Sequence, residues 1–304
     1  MTQGPENKGR GDPVVKRSDS IAVAAGKALR FHFEQMLAND EGVRVGEEIE
    51  AVHDMRVATR RLRAALRAFR KPIGGELLEP HRVEMKWLGS ALGQARDMDV
   101  WLEYLRAYLQ DAPPDHREDI QTYLDAETTA REARRRDLIA ALDSERFVRL
   151  REGFQKLLDT DLAACGAGKR IGPFAARSIR KRMKKVLAYD DVVESAPESE
   201  LHRLRIAGKR LRYTCEFFAD CFGKRVAKMI EMLRAMQDAL GALHDTVVWR
   251  DRIGETKSEA LVRLKQRLTD EADRHRDEFL RIWSKLTSRK FQKALRKELR
   301  RAAK

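Results

Sequence analysis

His53-Asp54-Met55-Arg56-Val57-Ala58-Thr59-Arg60-Arg61-Leu62-Arg63 is the stretch on which the reading of this chain turns, because it recurs 149 positions later as His202-Arg203-Leu204-Arg205-Ile206-Ala207-Gly208-Lys209-Arg210-Leu211-Arg212. Both copies read HxxRxxx(R/K)RLR. Downstream, Ala91-Leu92-Gly93, Arg96-Asp97 and Val100-Trp101 return at a shift of 148 as Ala239-Leu240-Gly241, His244-Asp245 and Val248-Trp249. Upstream, Lys27 and Arg30 lie over Arg177 and Arg180 at a shift of 150, and Met36-Leu37-Ala38 over Val186-Leu187-Ala188. Three blocks in one order at a near-constant offset indicate an internal duplication.

A helix turns by about 100° per residue, so spacing converts into direction. His53, Arg56, Arg60, Arg63 and Arg67 then share an arc of roughly 80°, and Met55, Ala58, Leu62, Ala65, Leu66 and Phe69 occupy the other side as a core face. In the second copy His202, Arg205, Lys209 and Arg212 form the basic arc, opposite Leu204, Ala207, Leu211, Cys215 and Phe218. A stripe that served only solubility would gain from glutamates interleaved at i,i+4 spacing. The first stripe instead stacks four arginines and a histidine with no acid among them. A bound anion would relieve that repulsion, and planar guanidinium groups suit multidentate hydrogen bonding to phosphate oxygens. A histidine adds a donor whose charge rises when phosphate sits nearby.

The surrounding sequence predicts helices throughout. Ala, Leu, Arg, Lys and Glu abound while aromatic and β-branched residues are sparse. We expect helices near 18–39, 46–71, 76–110, 115–143, 145–160, 172–190, 197–222, 224–253, 256–287 and 288–303. Pro72, Pro80, Pro113, Pro114, Pro173 and Pro197 are expected between them, where a missing N–H does no damage. Residues 1–17, with Gly, Pro, Lys and Arg and no apolar run, read as a flexible tail and not a secretory signal; 18–162 and 163–304 are the expected halves. The last segment, Ser288 to Lys304, holds eight Lys or Arg and one Glu, with Phe291, Leu295 and Leu299 on one side. It reads as an amphipathic helix closing a bundle, membrane-surface attachment being the minor alternative.

The 304 residues carry 62 Lys plus Arg against 48 Asp plus Glu, a formal charge of +14, which predicts an anionic partner without naming it. Cys165, Cys215 and Cys221 are odd in number and contain no CxxC pair, so they read as reduced core residues and not as a disulfide framework or zinc site. No stretch approaches the roughly 18 apolar residues of a membrane span, and the cytoplasm is the expected compartment.

At these residues the sequence resembles the CHAD family, the conserved histidine α-helical domain, over nearly everything from Ser18 to the last helix. The resemblance implies an all-α fold of two pseudo-twofold-related antiparallel four-helix bundles with a basic central channel or surface that binds inorganic polyphosphate, and a location on polyphosphate granules. Carried over position by position, it makes His53, Arg56, Arg60, Arg63, His202, Arg205, Lys209 and Arg212 the leading ligands. Lys86 and Arg234, equivalent under the 148 shift, come second; Lys27, Arg30, Arg177, Arg180, Lys181 and Lys184 come third. Phosphate or sulfate would be the stand-in at such a site. Asp97 and Asp245 are expected to orient basic side chains, since a carboxylate facing a polyanion is repelled. Many members are fused to a triphosphate tunnel metalloenzyme domain with an ExExK signature; Glu48-Ile49-Glu50 is followed by no such lysine, so this reads as a stand-alone copy.

Four other functions compete, of which metal binding is the weakest, since His53 and His202 give at most a two-ligand site with only arginines adjacent. A polyphosphate-processing enzyme needs metal-holding carboxylates or a Walker-type loop, and the sequence offers neither GxxxxGK(S/T), HExxH nor acids aligned with the basic arcs; no catalytic residue, metal ligand or cofactor is assigned. Histidine phosphotransfer needs one exposed histidine and gives a duplicated stripe no purpose. Nucleic acid is the serious rival, because phosphate contacts dominate its sequence-independent binding too, although no aromatic platforms interleave with the first stripe and only Tyr213 lies beside the second.

Overall fold

The computed structural model describes residues 13–46, 49–162, 164 and 168–303. Most of the expected N-terminal tail, with Glu48 and Cys165, lies outside the described residues. Eleven α-helices account for nearly all of these: α1 (Ile21–Ala38), α2 (Asp40–Val45), α3 (Ile49–Ile73), α4 (Gly75–Asp111), α5 (Arg117–Asp143), α6 (Glu145–Asp159), α7 (Ile171–Leu187), α8 (Glu198–Phe217), α9 (Lys224–Ile253), α10 (Glu259–Thr287) and α11 (Arg289–Ala302). The fold is all-α, as the duplicated periodicity predicts. The expected segments match these helices to within a few residues, apart from the short α2 and two single-turn 3-10 segments, Pro114–His116 and Ala219–Cys221.

The prolines correct one expectation. Pro113 and Pro197 stand just before helical turns, but Pro72 and Pro80 lie inside α3 and α4. Pro72 is the penultimate residue of its helix, and Pro173 is the third of α7, where the first-turn N–H groups have no intrahelical acceptor anyway. Pro80 removes one backbone bond from a helix of 37 residues, a local loss that the buried Leu78 and Met85 on either side offset. Ser20, Ser144 and Ser258 cap α1, α6 and α10 by accepting a backbone N–H from the third residue on.

Contacts divide the chain into two units, one comprising the residues up to Glu103 with Ala126–Ile171 and the other Tyr104–Asp125 with Gly172–Lys304. This division differs from the repeat halves, 18–162 and 163–304, in where it places Tyr104–Asp125 and the residues between the helices α6 and α7. The tip formed by the end of α4 and the start of α5 joins the second unit through its aromatic side chains. Tyr104 packs on Trp249 with ring centroids 4.7 Å apart and donates to Glu271 Oε2 at 3.0 Å, while Arg267 lies 5.3 Å over the Tyr108 ring.

In the first unit α1 packs along α3, burying Leu29, Phe33 and Met36 with Met55, Leu62, Leu66 and Phe69, none more than 2% exposed. The strand-like ends of the unit meet where Ile21 N donates to Lys169 O and Ile171 N to Asp19 O. Ordered contacts begin earlier than the expected tail boundary: Val15 is buried, and Lys27 Nζ donates to the Val14 carbonyl. In the second unit α9 packs against α8 and α10 around Leu204, Leu211, Cys215, Leu233, Leu240, Phe279 and Trp283. Leu295 and Leu299 of α11 join that core, and its single acid, Glu298, accepts from the N–H groups of Gly223, Arg225 and Val226 at the start of α9. Cys215 and Cys221 are buried free thiols; burial pushes Cys215 well above the ordinary thiol range.

Candidate functional site

The apolar faces decide where the basic ones go. With Met55, Ala58, Leu62, Leu66 and Phe69 of α3 buried, His53, Arg56, Arg60 and Arg63 are left half-buried along the seam with α4. Two glycines of α4 open that seam. A Cβ on Gly93 would meet Arg56 Nε at 3.8 Å, and one on Gly89 would meet Arg63 Nη1 at 3.1 Å and Thr59 Cγ2 at 3.6 Å. The guanidinium groups thus lie against α4 backbone, with room that any larger residue at 89 would take away.

Cations crowd this seam. His53 is held below the ordinary imidazole range by burial first and then by Arg96, with a smaller push from Arg60. Arg63 is likewise disfavoured as a charge by burial and then by Arg82. Against them the structure sets several acids: Glu50 and Asp54 favour the charged form of His53, Glu79 pairs with Arg82, and Asp97 Oδ1 accepts from Arg56 Nη2 at 3.1 Å. That carboxylate orients the arginine, as its place in the repeat suggested.

The second unit repeats the upper part of this arrangement and alters the lower part. His202 on α8 and His244 on α9 place their ring centroids 4.7 Å apart. Burial, then Arg205, His202 and Lys209, hold His244 down to about 4, and burial, then Arg205 and Lys209, lower His202. Lower down, the position equivalent to Arg67 is Glu216. Its buried carboxylate lies 3.5 Å from Arg212 Nη1 and 3.1 Å from Arg234 Nη2, and the Arg212 guanidinium rests 5.1 Å over the Tyr213 ring. Arg212 is only 6% exposed. Two residues expected as phosphate ligands, Arg212 and Arg234, are thus engaged by an internal acid, as Arg56 is by Asp97 in the first unit.

The remaining expected residues divide by position. Lys86 is exposed on α4. On α1, Lys27 forms an ion pair with Asp19 at 2.8 Å and Arg30 donates to the Leu158 carbonyl at 3.2 Å, so both brace the fold. Arg177, Arg180, Lys181 and Lys184 are exposed on α7. Sequence reasoning left out Arg82, Arg96, His244 and Glu216. Arg96 and His244 already stand in the repeated (R/H)D step, and Glu216 emerges once the repeat is continued one turn past HxxRxxx(R/K)RLR.

Comparison with known proteins adds a family. The CHAD domain model matches residues 27–254. Two uncharacterized proteins of Mycobacterium tuberculosis, from strains CDC 1551 and H37Rv, are each 31% identical over 237 residues, covering 75% of this chain and 44% of the relative. The chain thus spans under half the length of these curated relatives. Among solved structures, the CHAD domain from the plant Ricinus communis superposes with a TM-score of 0.68 at 24% identity, over 96% of each chain. PptA from Streptomyces chartreusis superposes with a TM-score of 0.67 at 17% identity, over 88% of this chain and all of the other. Both carry the fold.

Proposed function

This chain belongs to the CHAD domain family, and from that premise we propose that it is a non-catalytic binding module for inorganic polyphosphate. The polymer engages the seams beside α3 and α8, with His53, Arg56, Arg60 and Arg63 as ligands in one unit and His202, Arg205 and Lys209 in the other. Arg96 and His244 complete the two sets. Its place is the cytoplasm, on polyphosphate granules.

The observation that carries this reading is that both units set the motif histidine in a half-buried seam beside cations, Arg96 and Arg60 in one and Arg205 and Lys209 in the other, with Glu50 and Asp54 acting against the first pair. Neighbouring like charges cost energy in proportion to how far water is excluded. A linear polymer with one charge per phosphate neutralises such a row along its length.

Titration of labelled polyphosphate at physiological salt, with single- and double-stranded nucleic acid as competitors, tests the reading. Polyphosphate is expected to win by at least tenfold; equal or tighter nucleic-acid binding overturns it. Incubation with polyphosphate and divalent metals followed by chain-length analysis tests the non-catalytic part, since shortening that disappears when one acid is substituted would assign an enzyme instead.

A further inference from the structure

Gln237, on α9, is 6% exposed, and neither its amide nitrogen nor its amide oxygen has a hydrogen-bond partner. A buried unpaired amide costs about 1–3 kcal/mol per group, whereas a leucine of similar volume would cost nothing. The residue therefore bears a penalty in the protein alone.

Its position gives the penalty a use. Counting along α9, Gln237, Gly241 and His244 fall on one face within about 60°. His244 of that face meets His202 of α8, and Gln237 approaches α8 near Gly208, where an added Cβ would lie 2.3 Å from Met236 Cε and 4.0 Å from the Gln237 amide nitrogen. Gly208 sits directly between Arg205 and Lys209 in sequence. The amide thus lies about two helical turns below the histidine pair, roughly 10 Å along α9, at the depth of the two cations.

The first unit shows the same crossing with sizes exchanged. There Thr59 of α3 faces Gly89 of α4, and in the second unit Gly208 faces Gln237, each pair related by the repeat offsets. Thr59 is fully buried; at the second crossing Met236 lies over Gly208 with Gln237 beside it. At Gly89 the Arg63 guanidinium lies on the helix; its counterpart Arg212 is held by Glu216. A hydrogen-bond donor is thus drawn away from the second seam at the level where Gln237 introduces another.

Resting on the polyphosphate reading above, we propose that Gln237 is a further ligand of the second unit, donating its amide N–H to a phosphoryl oxygen of a chain held by Arg205 and Lys209. A neutral donor suits this depth, because it recognises the oxygen without adding a third charge beside two cations. The second unit then grips the polymer by mixed charge and amide contacts.

The test compares wild type with Gln237→Leu, Gln237→Met and Gln237→Glu, measuring thermal unfolding and binding of long-chain polyphosphate. The leucine and methionine variants are expected to melt at or above wild type and to bind about tenfold more weakly, the worth of one hydrogen bond to a charged acceptor. Gln237→Glu, which removes the donor and adds repulsion, is expected to bind weaker still. If the leucine and methionine variants fold and bind within twofold of wild type, the assignment of Gln237 is overturned while the polyphosphate reading stands. If wild type itself fails to bind polyphosphate, both fall. Should leucine prevent folding, methionine, flexible and close in shape, decides the question.

Discussion

Replacing His244 by arginine is expected to abolish most of the pH dependence of polyphosphate binding contributed by the second unit. His244 is held to about 4, against an ordinary 6.5, by burial and then by Arg205, His202 and Lys209. At neutral pH its ring is therefore uncharged. The interval of 2.5 pH units corresponds to about 3 kcal/mol disfavouring the imidazolium. Because the ring is half-exposed, water screens part of this, and about 1–2 kcal/mol is the expected share that an adjacent phosphate can recover. That is roughly a tenfold change in affinity.

The direction follows from linkage. Bound polyanion raises the pKa of His244, so affinity is flat well above the bound-state pKa, rises as pH falls through it, and levels off below about pH 4. Long-chain polymer at constant ionic strength is the right probe, since its terminal groups are few and their own titration contributes little. Calorimetric or anisotropy titrations from about pH 8 to about pH 4.5 should show the rise in wild type. His244→Gln should keep the weak, high-pH affinity with a shallower slope. His244→Arg places in the second unit what Arg96 supplies in the first, and should bind at neutral pH about as tightly as wild type does in acid. An affinity that falls on acidification, or a slope untouched by both variants, would refute the placing of His244 beside the bound polymer. Folding runs the opposite way: with its folded-state pKa depressed, His244 contributes stability above pH 6.5 that is lost as pH falls toward 4.

Arg63→Ala and Arg56→Ala should each weaken polyphosphate binding by roughly tenfold and flatten its dependence on salt, read from titrations at two ionic strengths. Glu216→Gln should lower stability by about 3–5 kcal/mol in denaturant unfolding, because it strips the buried Arg212 of its charge partner; a change below about 1 kcal/mol would show that Arg212 is held otherwise. Gly89→Leu should displace the Arg63 guanidinium that lies on this glycine and so weaken binding more than it lowers the melting temperature, whereas Gly93→Ala, with its added atom at ordinary contact distance, should do neither. Glu298→Ala leaves three N–H groups at the start of α9 without their acceptor and should cost about 1–2 kcal/mol in thermal unfolding.

How much of this was legible in the chain can be judged residue by residue. The basic stripes could be read directly, because the positions of apolar side chains on a helix fix which face is buried and leave the opposite face for His53, Arg56, Arg60 and Arg63. The helix limits followed from the same periodicity, while the caps Ser20, Ser144 and Ser258 emerged with the structure. Pro72 and Pro80 misled because a proline near a helix end, or flanked by strong apolar anchors, costs less than packing returns.

What the amino-acid sequence determined by itself was the all-helical character, the duplication and the two-faced repeat helices, since these depend on spacing within one segment. Only tertiary structure decided which cations remain available to an anion. Arg212 looks equivalent to Arg63 along the chain, yet Glu216 engages the one and Gly89 accommodates the other. Likewise, the joining of Tyr104–Asp125 to the second unit rests on Tyr104 meeting Trp249 and Glu271, residues more than a hundred positions away. The physical reason is range: helical periodicity is set by neighbours three and four residues apart, whereas burial, pairing and pKa are set by whatever the packed helices bring alongside.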